Sequence, residues 1–297
     1  MMKMSHEREK WVLLITLTVI WGSSFILIKK GLEHFSPYQV GALRVLIAGI
    51  LLSPLAILNF RKFPRKRLKW LILAAVSGNF IPMFLFPIAE TEVSSSIAGI
   101  VNSMMPIFVI IVGALFWKFE TTKRQMLGVG ISFTGACILM LSSHGDVGIK
   151  VFPILLLLLA TLLYAVSTTT VKGKLNDIPA KVLSGFVFFY ILLLPSLLAL
   201  ALTGFFTQFK GTTDDFIGLG YVSLLSIFGT GLAMLLNYRL LNISTPLFAS
   251  TVTLLMPIVA VLWGILDGER LTLVQFIGGL IIIGGLIFLR AKPVAKN

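Results

Sequence analysis

The chain has 297 residues, 57% of them hydrophobic and 12% charged, where soluble domains carry about 25% charged residues. That shortfall, with apolar runs of about 20 residues, excludes an ordinary soluble protein and puts the chain in a bilayer. A net charge of +13 raises nucleic acid as a partner, but the chain offers no aromatic-studded basic domain to bind it.

Apolar stretches between charged or Gly/Pro-rich breaks predict ten helical spans, near 11–28, 38–59, 70–88, 94–117, 125–143, 151–171, 182–204, 216–237, 246–266 and 273–290. The first runs past a signal-peptide core into WGSSFILIKK with no small-residue cleavage site, so it reads as a retained helix. The second follows Ser36-Pro37 and holds Arg44; the cluster RKFPRKRLK (61–69) separates it from the third, which ends at AETEV (89–93). Spans four and nine carry Pro106 and Pro257. The fifth carries Gly128, Gly130, Gly135 and the lone Cys137, so there is no disulfide framework. The tenth carries Gly278, Gly279, Gly284 and Gly285. These small-residue faces predict that the fifth and tenth helices pack on each other or on a second protomer. Loops are too short for a separate soluble domain.

The basic residues are unevenly placed. With the N-terminus inside, 19 Lys and Arg fall in cytoplasmic segments and 5 in outer loops, a positive-inside bias that predicts both termini cytoplasmic. The 61–69 cluster is first an orienting anchor, and contact with anionic lipid is compatible with it. Trp11, Trp70 and Trp117 read as interfacial anchors.

Sliding the chain by 151 residues lays Met105-Pro106-Ile107 on Met256-Pro257-Ile258. Leu73, Gly78, Met83, Ala98, Val101 and Gly113 also meet identical residues. With five spans per half, the second copy enters the membrane from the opposite side. Such inverted repeats mark transporters and place the substrate path between the halves. The expected fold is an all-α membrane protein of ten transmembrane helices in two inverted five-helix repeats, over 11–143 and 151–290.

The first half reads Trp21-Gly22-Ser23, then Lys29, Ser36-Pro37 and Ala42-Leu43-Arg44, continuing through Pro106, Glu120, Gln125, Gly128 and Gly135. The second half repeats the ending at Pro257, Glu269, Gln275, Gly278 and Gly285. In this order and spacing the chain resembles the EamA repeat of the drug/metabolite transporter superfamily over nearly its whole length. The match is looser at the sixth span, where Tyr164 and Lys172 stand for Trp21 and Lys29 without a Trp-Gly pair, and at the acidic AETEV. The resemblance implies an inner-membrane permease, often an exporter of amino acids or other small metabolites, and it points to Arg44.

Pro106 and Pro257 free the carbonyls of Asn102 and Thr253, which inside a bilayer need other partners. Such paired breaks either shape a transport site or merely kink the helices. Arg44, the one Lys or Arg clearly within a span, holds a substrate anion, ties helix ends together with Glu90, or snorkels to the headgroups. No carboxylate lies at the bilayer centre, and His6, His34 and His144 fall outside the spans, so the expected driving force is the substrate gradient. Glu90 and Glu92 are the alternative coupling groups. Trp21, Ser24, Arg44, Asn79, Asn102, Met105, Tyr164, Ser167, Thr253 and Met256 are the expected cavity-facing residues, with Trp263 a further aromatic wall. Individual Ser and Thr hydroxyls more often bond back to their own helix. No metal-ligand spacing and no Ser-His-Asp set can be assembled, so neither a cofactor nor enzyme chemistry is expected. A lipid or lipid-linked sugar translocase, and a structural or sensory membrane protein, are the rival readings. Oligomeric state is left open.

Overall fold

A computed structural model of the chain describes residues 6–93, 95–141, 151–266 and 273–289. The sequence readings on Lys3, His144, Lys150, Glu269, Arg270, Arg290, Lys292 and Lys296 lie outside the described residues. The described part is helical, built from α1 (His6–Leu32), α2 (Pro37–Leu58), α3 (Arg65–Glu90) and α4 (Ile97–Trp117). There follow α5 (Lys123–Leu141), α6 (Val151–Leu175), α7 (Ala180–Leu202) and α8 (Thr213–Ile243), then α9 (Val252–Leu266) and α10 (Leu273–Leu289). By length and composition α1–α4 and α6–α8 are seven helices able to cross a membrane, while the apolar stretches in α9 and α10 are shorter.

Local chemistry sets the helix ends. Ser36 and Gln39 form a capping box ahead of α2, with Pro37 at its first position, and Thr212 and Asp215 do the same for α8. Each box satisfies amides that a helix start leaves bare. Glu7 and Glu9 in the first turn of α1, with Lys29 and Lys30 in its last, complement its dipole. Polar side chains within the helices mostly bond backward: Thr18 to Leu14 O, Thr161 to Leu157 O, Ser184 to Ala180 O and Ser226 to Val222 O. This hides each hydroxyl where water is absent. Exposed large apolar side chains such as Ile15, Leu115, Leu194 and Leu202 clothe the outside, a surface suited to lipid and unsuited to water.

Helix packing follows the internal repeat. α1 packs on α9 as α6 packs on α4; α1 packs on α8 as α6 packs on α3; α2 packs on α7, and α5 on α10. Each pairing maps onto another, or onto itself, when the halves are exchanged. α5 and α10 meet directly within one chain. Ser132 donates to Ile282 O at 3.1 Å. A Cβ on Gly135 would stand 2.8 Å from Gly278 O, and one on Gly285 would stand 2.7 Å from Gly128 O, so both glycines are needed for this close approach. At the N-terminal face Arg239 at the end of α8 grips Glu9 of α1 through Nε at 2.6 Å and Nη2 at 2.9 Å. Beside it Trp11 packs edge-on against Phe248. The expected anchors Trp70 and Trp117 meet at 5.6 Å.

Four helices contain a π-helical turn: Val76–Phe80 in α3, Val171–Leu175 in α6, Phe186–Leu192 in α7 and Ile227–Leu232 in α8. The first and last start 151 residues apart. Such turns are rare and frequently sit at functional sites.

Candidate functional site

Between the halves lies a cavity lined from α1, α2, α3, α4, α6, α8 and α9. Its volume is about 90 Å³. Of the expected residues, Trp21, Ser24, Arg44, Asn102, Met105, Tyr164, Ser167, Thr253 and Met256 line it. Asn79 does not. It is fully buried behind the wall, its amide donating to the Tyr238 hydroxyl at 3.4 Å while its Oδ1 has no partner. Trp263 is also off the cavity: it is 42% exposed and donates to Ser23 Oγ at 2.7 Å.

Arg44 does not snorkel. It is only 6% exposed, and its Nε donates to Thr230 Oγ1 at 2.7 Å. Its Nη2 reaches the carbonyl of Gly229 at 3.4 Å. The same carbonyl, inside the π turn of α8, accepts from Trp21 Nε1 at 2.9 Å. The guanidinium thus ties α2 to α8 with neutral acceptors, and among the described residues no carboxylate pairs with it. A desolvated cation with spare donors and no ion partner is costly, and it makes one side of the cavity attractive to an anion.

Asn102 supplies the opposite polarity. It is 5% exposed, its amide points at Met256 Sδ at 3.7 Å, and its Oδ1 is buried with no partner. Such an unused acceptor favours a donor on a bound solute.

The proline breaks differ in form. In α4 the chain turns at Ser103–Met104 between the helical segments Ser95–Asn102 and Met105–Trp117, so Pro106 opens a new segment rather than interrupting one. Pro257 lies inside α9. The carbonyl it frees, Thr253 O, accepts from Ser103 Oγ of the opposite repeat at 3.1 Å. The partner that the missing amide demands therefore comes from a neighbouring helix, and the two breaks hold each other.

Glu90 sits behind the cavity wall, one turn beyond the lining residue Phe86. Ser95 donates to its Oε2 at 3.0 Å, and its Oε1 is buried without a partner. Glu92 is exposed and off the lining.

The sequence reading missed Met83, Met234, Asn237 and Tyr238, all of which line the cavity. Met83 and Met234 are one of the identical pairs of the 151-residue repeat, so the signal was present. With Met105 and Met256 they give two symmetric pairs of soft, adaptable walls. Tyr238 lies beyond the expected end of the eighth span, and the helix in fact runs on to Ile243.

The model of the EamA-like transporter family matches residues 10–141 and again 151–291. This chain belongs to the EamA-like transporter family. Its relatives include an "Uncharacterized transporter" of Archaeoglobus fulgidus, 28% identical over 96% of this chain and 100% of the other. The "Uncharacterized inner membrane transporter YedA" of Escherichia coli K12 is 28% identical over 95% of this chain and 92% of its own. A "Probable amino-acid metabolite efflux pump" of Salmonella typhimurium is 26% identical over 94% of both chains. A solved structure shares the fold, with a TM-score of 0.70 at 16% identity, covering 96% of this chain and 97% of that one. The chain is thus a multi-pass membrane protein of a transporter family built from two EamA-like halves. Its cavity lies where those halves meet.

Proposed function

We propose that this EamA-like transporter is an inner-membrane carrier that exports small amphipathic metabolites, amino acids and related solutes, by alternating access. In this reading α5, α9 and α10 cross the membrane with the other seven. The result is ten spans in two inverted repeats, 11–143 and 151–290, with both termini cytoplasmic as the 19-to-5 distribution of Lys and Arg favours. The observation that carries it is a cavity between the halves holding a buried cation, Arg44, with no carboxylate partner among the described residues, and a buried acceptor without a partner, Asn102 Oδ1, among methionine and aromatic walls. A solute with a carboxylate, a hydrogen-bond donor and an apolar body satisfies all three at once. The relatives named amino-acid metabolite efflux pumps point the same way. Transport runs down the substrate gradient, with Glu90 the first group to examine for coupling.

The test compares extracellular metabolites of cells carrying the native protein with cells carrying Arg44→Ala or Asn102→Ala, at matched membrane levels. One class of small solute rises outside with the native protein. Each variant lowers its export by about tenfold to a hundredfold, the size of one or two lost charge-assisted hydrogen bonds. Unchanged export in both variants removes the site from this cavity. A change in transbilayer lipid distribution with no change in soluble metabolites makes the protein a lipid translocase instead.

A further inference from the structure

The turn between α2 and α3 is more structured than membrane orientation requires. The connection and the start of α3 hold two 3-10 turns, Phe60–Lys62 and Arg65–Arg67, the second forming the first turn of α3. Backbone bonds from Lys62 N to Asn59 O, Phe63 N to Phe60 O and Arg67 N to Pro64 O hold them. Phe63 anchors the turn, packing edge-on against Phe186 at 5.2 Å and Tyr190 at 5.5 Å, and Phe60 lies 5.9 Å from Tyr190. The turn lines an open surface groove that Asp177 and Ile178 flank from the α6–α7 connection.

Five cations line the groove: Arg61, Lys62, Arg65, Lys66 and Arg67. Its one carboxylate, Asp177, is already taken by Arg67, which also donates to Lys174 O at 3.2 Å. Among the described residues no carboxylate pairs with Arg61, Lys62, Arg65 or Lys66. Positive-inside orientation needs only charge on one side and asks for no concave, rigid presentation. Directly beside the groove the chain exposes apolar side chains: Ile57 at 59%, Leu58 at 81%, Phe60 at 54% and Leu68 at 38%. Concentrated positive charge thus adjoins a bare apolar surface at the end of two membrane-length helices.

From this juxtaposition we propose that the groove is a binding site for an anionic phospholipid, its phosphate among Lys62, Arg65 and Lys66 and its acyl chains along Ile57, Leu58 and Leu68. The apolar surface selects a lipid over a free anion, which has nothing to lay against it. Basic pockets at helix ends hold anionic headgroups by this chemistry. The site binds across the repeats, since the turn belongs to the first half and Asp177 to the second.

The experiment uses the full-length protein in nanodiscs of phosphatidylcholine with a minor fraction of phosphatidylglycerol, and measures the phosphatidylglycerol retained after extraction by native mass spectrometry. The groove variant is Lys62→Gln, Arg65→Gln, Lys66→Gln. The control, Lys118→Gln, Lys123→Gln, Arg124→Gln, removes the same charge around the α4–α5 connection and the first turn of α5. The groove variant loses phosphatidylglycerol affinity by about fivefold per cation removed, and the control keeps it. Equal retention by all three proteins, or equal loss in both variants, overturns the proposal, as does glycerol phosphate or inorganic phosphate displacing the lipid at comparable concentration. Photo-crosslinking of a labelled phosphatidylglycerol to the native protein is independent of variant folding. Adducts at Ile57–Leu68 support the site, and adducts spread over the other helix ends refute it.

Discussion

Two helix crossings flank the cavity at positions 151 residues apart, and they are built differently. At the α3–α6 crossing Gly78 faces Ser167, whose hydroxyl donates across to Ala74 O at 2.8 Å. At the α1–α8 crossing Gly229 faces Ser24, whose hydroxyl turns back to Ile20 O at 3.0 Å. Next to these glycines stand Asn79 and Thr230. Asn79 is spent on Tyr238, whereas Thr230 receives Arg44. The second repeat has no equivalent cation: α7 carries only Lys181, in its first turn. The repeat therefore preserves backbone approach and packing, while the buried cation of the cavity wall belongs to the first half alone. Under the proposed carrier mechanism, the symmetric scaffold would serve alternate opening to two faces and the single cation would orient the solute.

The sharpest way to break this comparison is to fill the glycines. A Cβ on Gly78 would meet Ser167 Oγ at 2.1 Å and its Cβ at 2.7 Å, whereas one on Gly229 would meet Ser24 Oγ at 2.6 Å with Ser24 Cβ at 3.7 Å. Gly78→Ala and Gly229→Ala should each destabilise by about 1–3 kcal/mol, as overpacking does, with Gly78→Ala the worse. Ser24→Ala should largely rescue Gly229→Ala, because the severe clash there is the hydroxyl and the remaining close atom, Leu225 Cδ1 at 3.2 Å, is the end of a flexible side chain. Ser167→Ala should leave Gly78→Ala largely unrescued, because the Cβ still collides. Thermal unfolding of the four double and single variants in detergent decides it. Equal rescue at both crossings would mean that they are alike after all.

A smaller effect separates Asn79 from Thr230. Thr230→Val removes the acceptor of a buried guanidinium and should cost about 1–3 kcal/mol together with transport. Asn79→Leu removes one long hydrogen bond along with an unpartnered buried oxygen, so its cost should stay near 1 kcal/mol or below. Parallel melting and export assays check both. A larger transport loss from Asn79→Leu would move the site away from Arg44.

The smallest expected effect lies outside the cavity. The Arg67 guanidinium donates to Asp177 and holds its carboxyl below the usual carboxylate range. A depressed carboxylate adds stability that is complete above its unfolded value, about 3.9, and is lost as pH falls through the folded one. Native protein and Asp177→Asn should therefore differ slightly in melting temperature at neutral pH and converge below about pH 4. A difference that persists in acid would place the ion pair's role elsewhere.

Much of this molecule could be read from the chain, because a bilayer imposes simple rules. Apolar length marks the helices, and the 151-residue echo marks the two halves. The freed Thr253 carbonyl required a partner, which proved to be Ser103. Arg44 stood out because charge within a span is expensive. The sequence by itself thus determined the helical stretches, the internal repeat and most of the cavity's residue types. Only the tertiary structure decided which faces of those helices point inward, since nearly every position is apolar and periodicity is mute. It turned Asn79 to the back of the wall and Trp263 to the outside. It also placed the π turns, one of which offers the Gly229 carbonyl to Trp21 and Arg44, and it left Arg44 hydrogen-bonded to neutral acceptors. Each of those outcomes is a contact between residues far apart in the chain, and local pattern carries no information about such contacts.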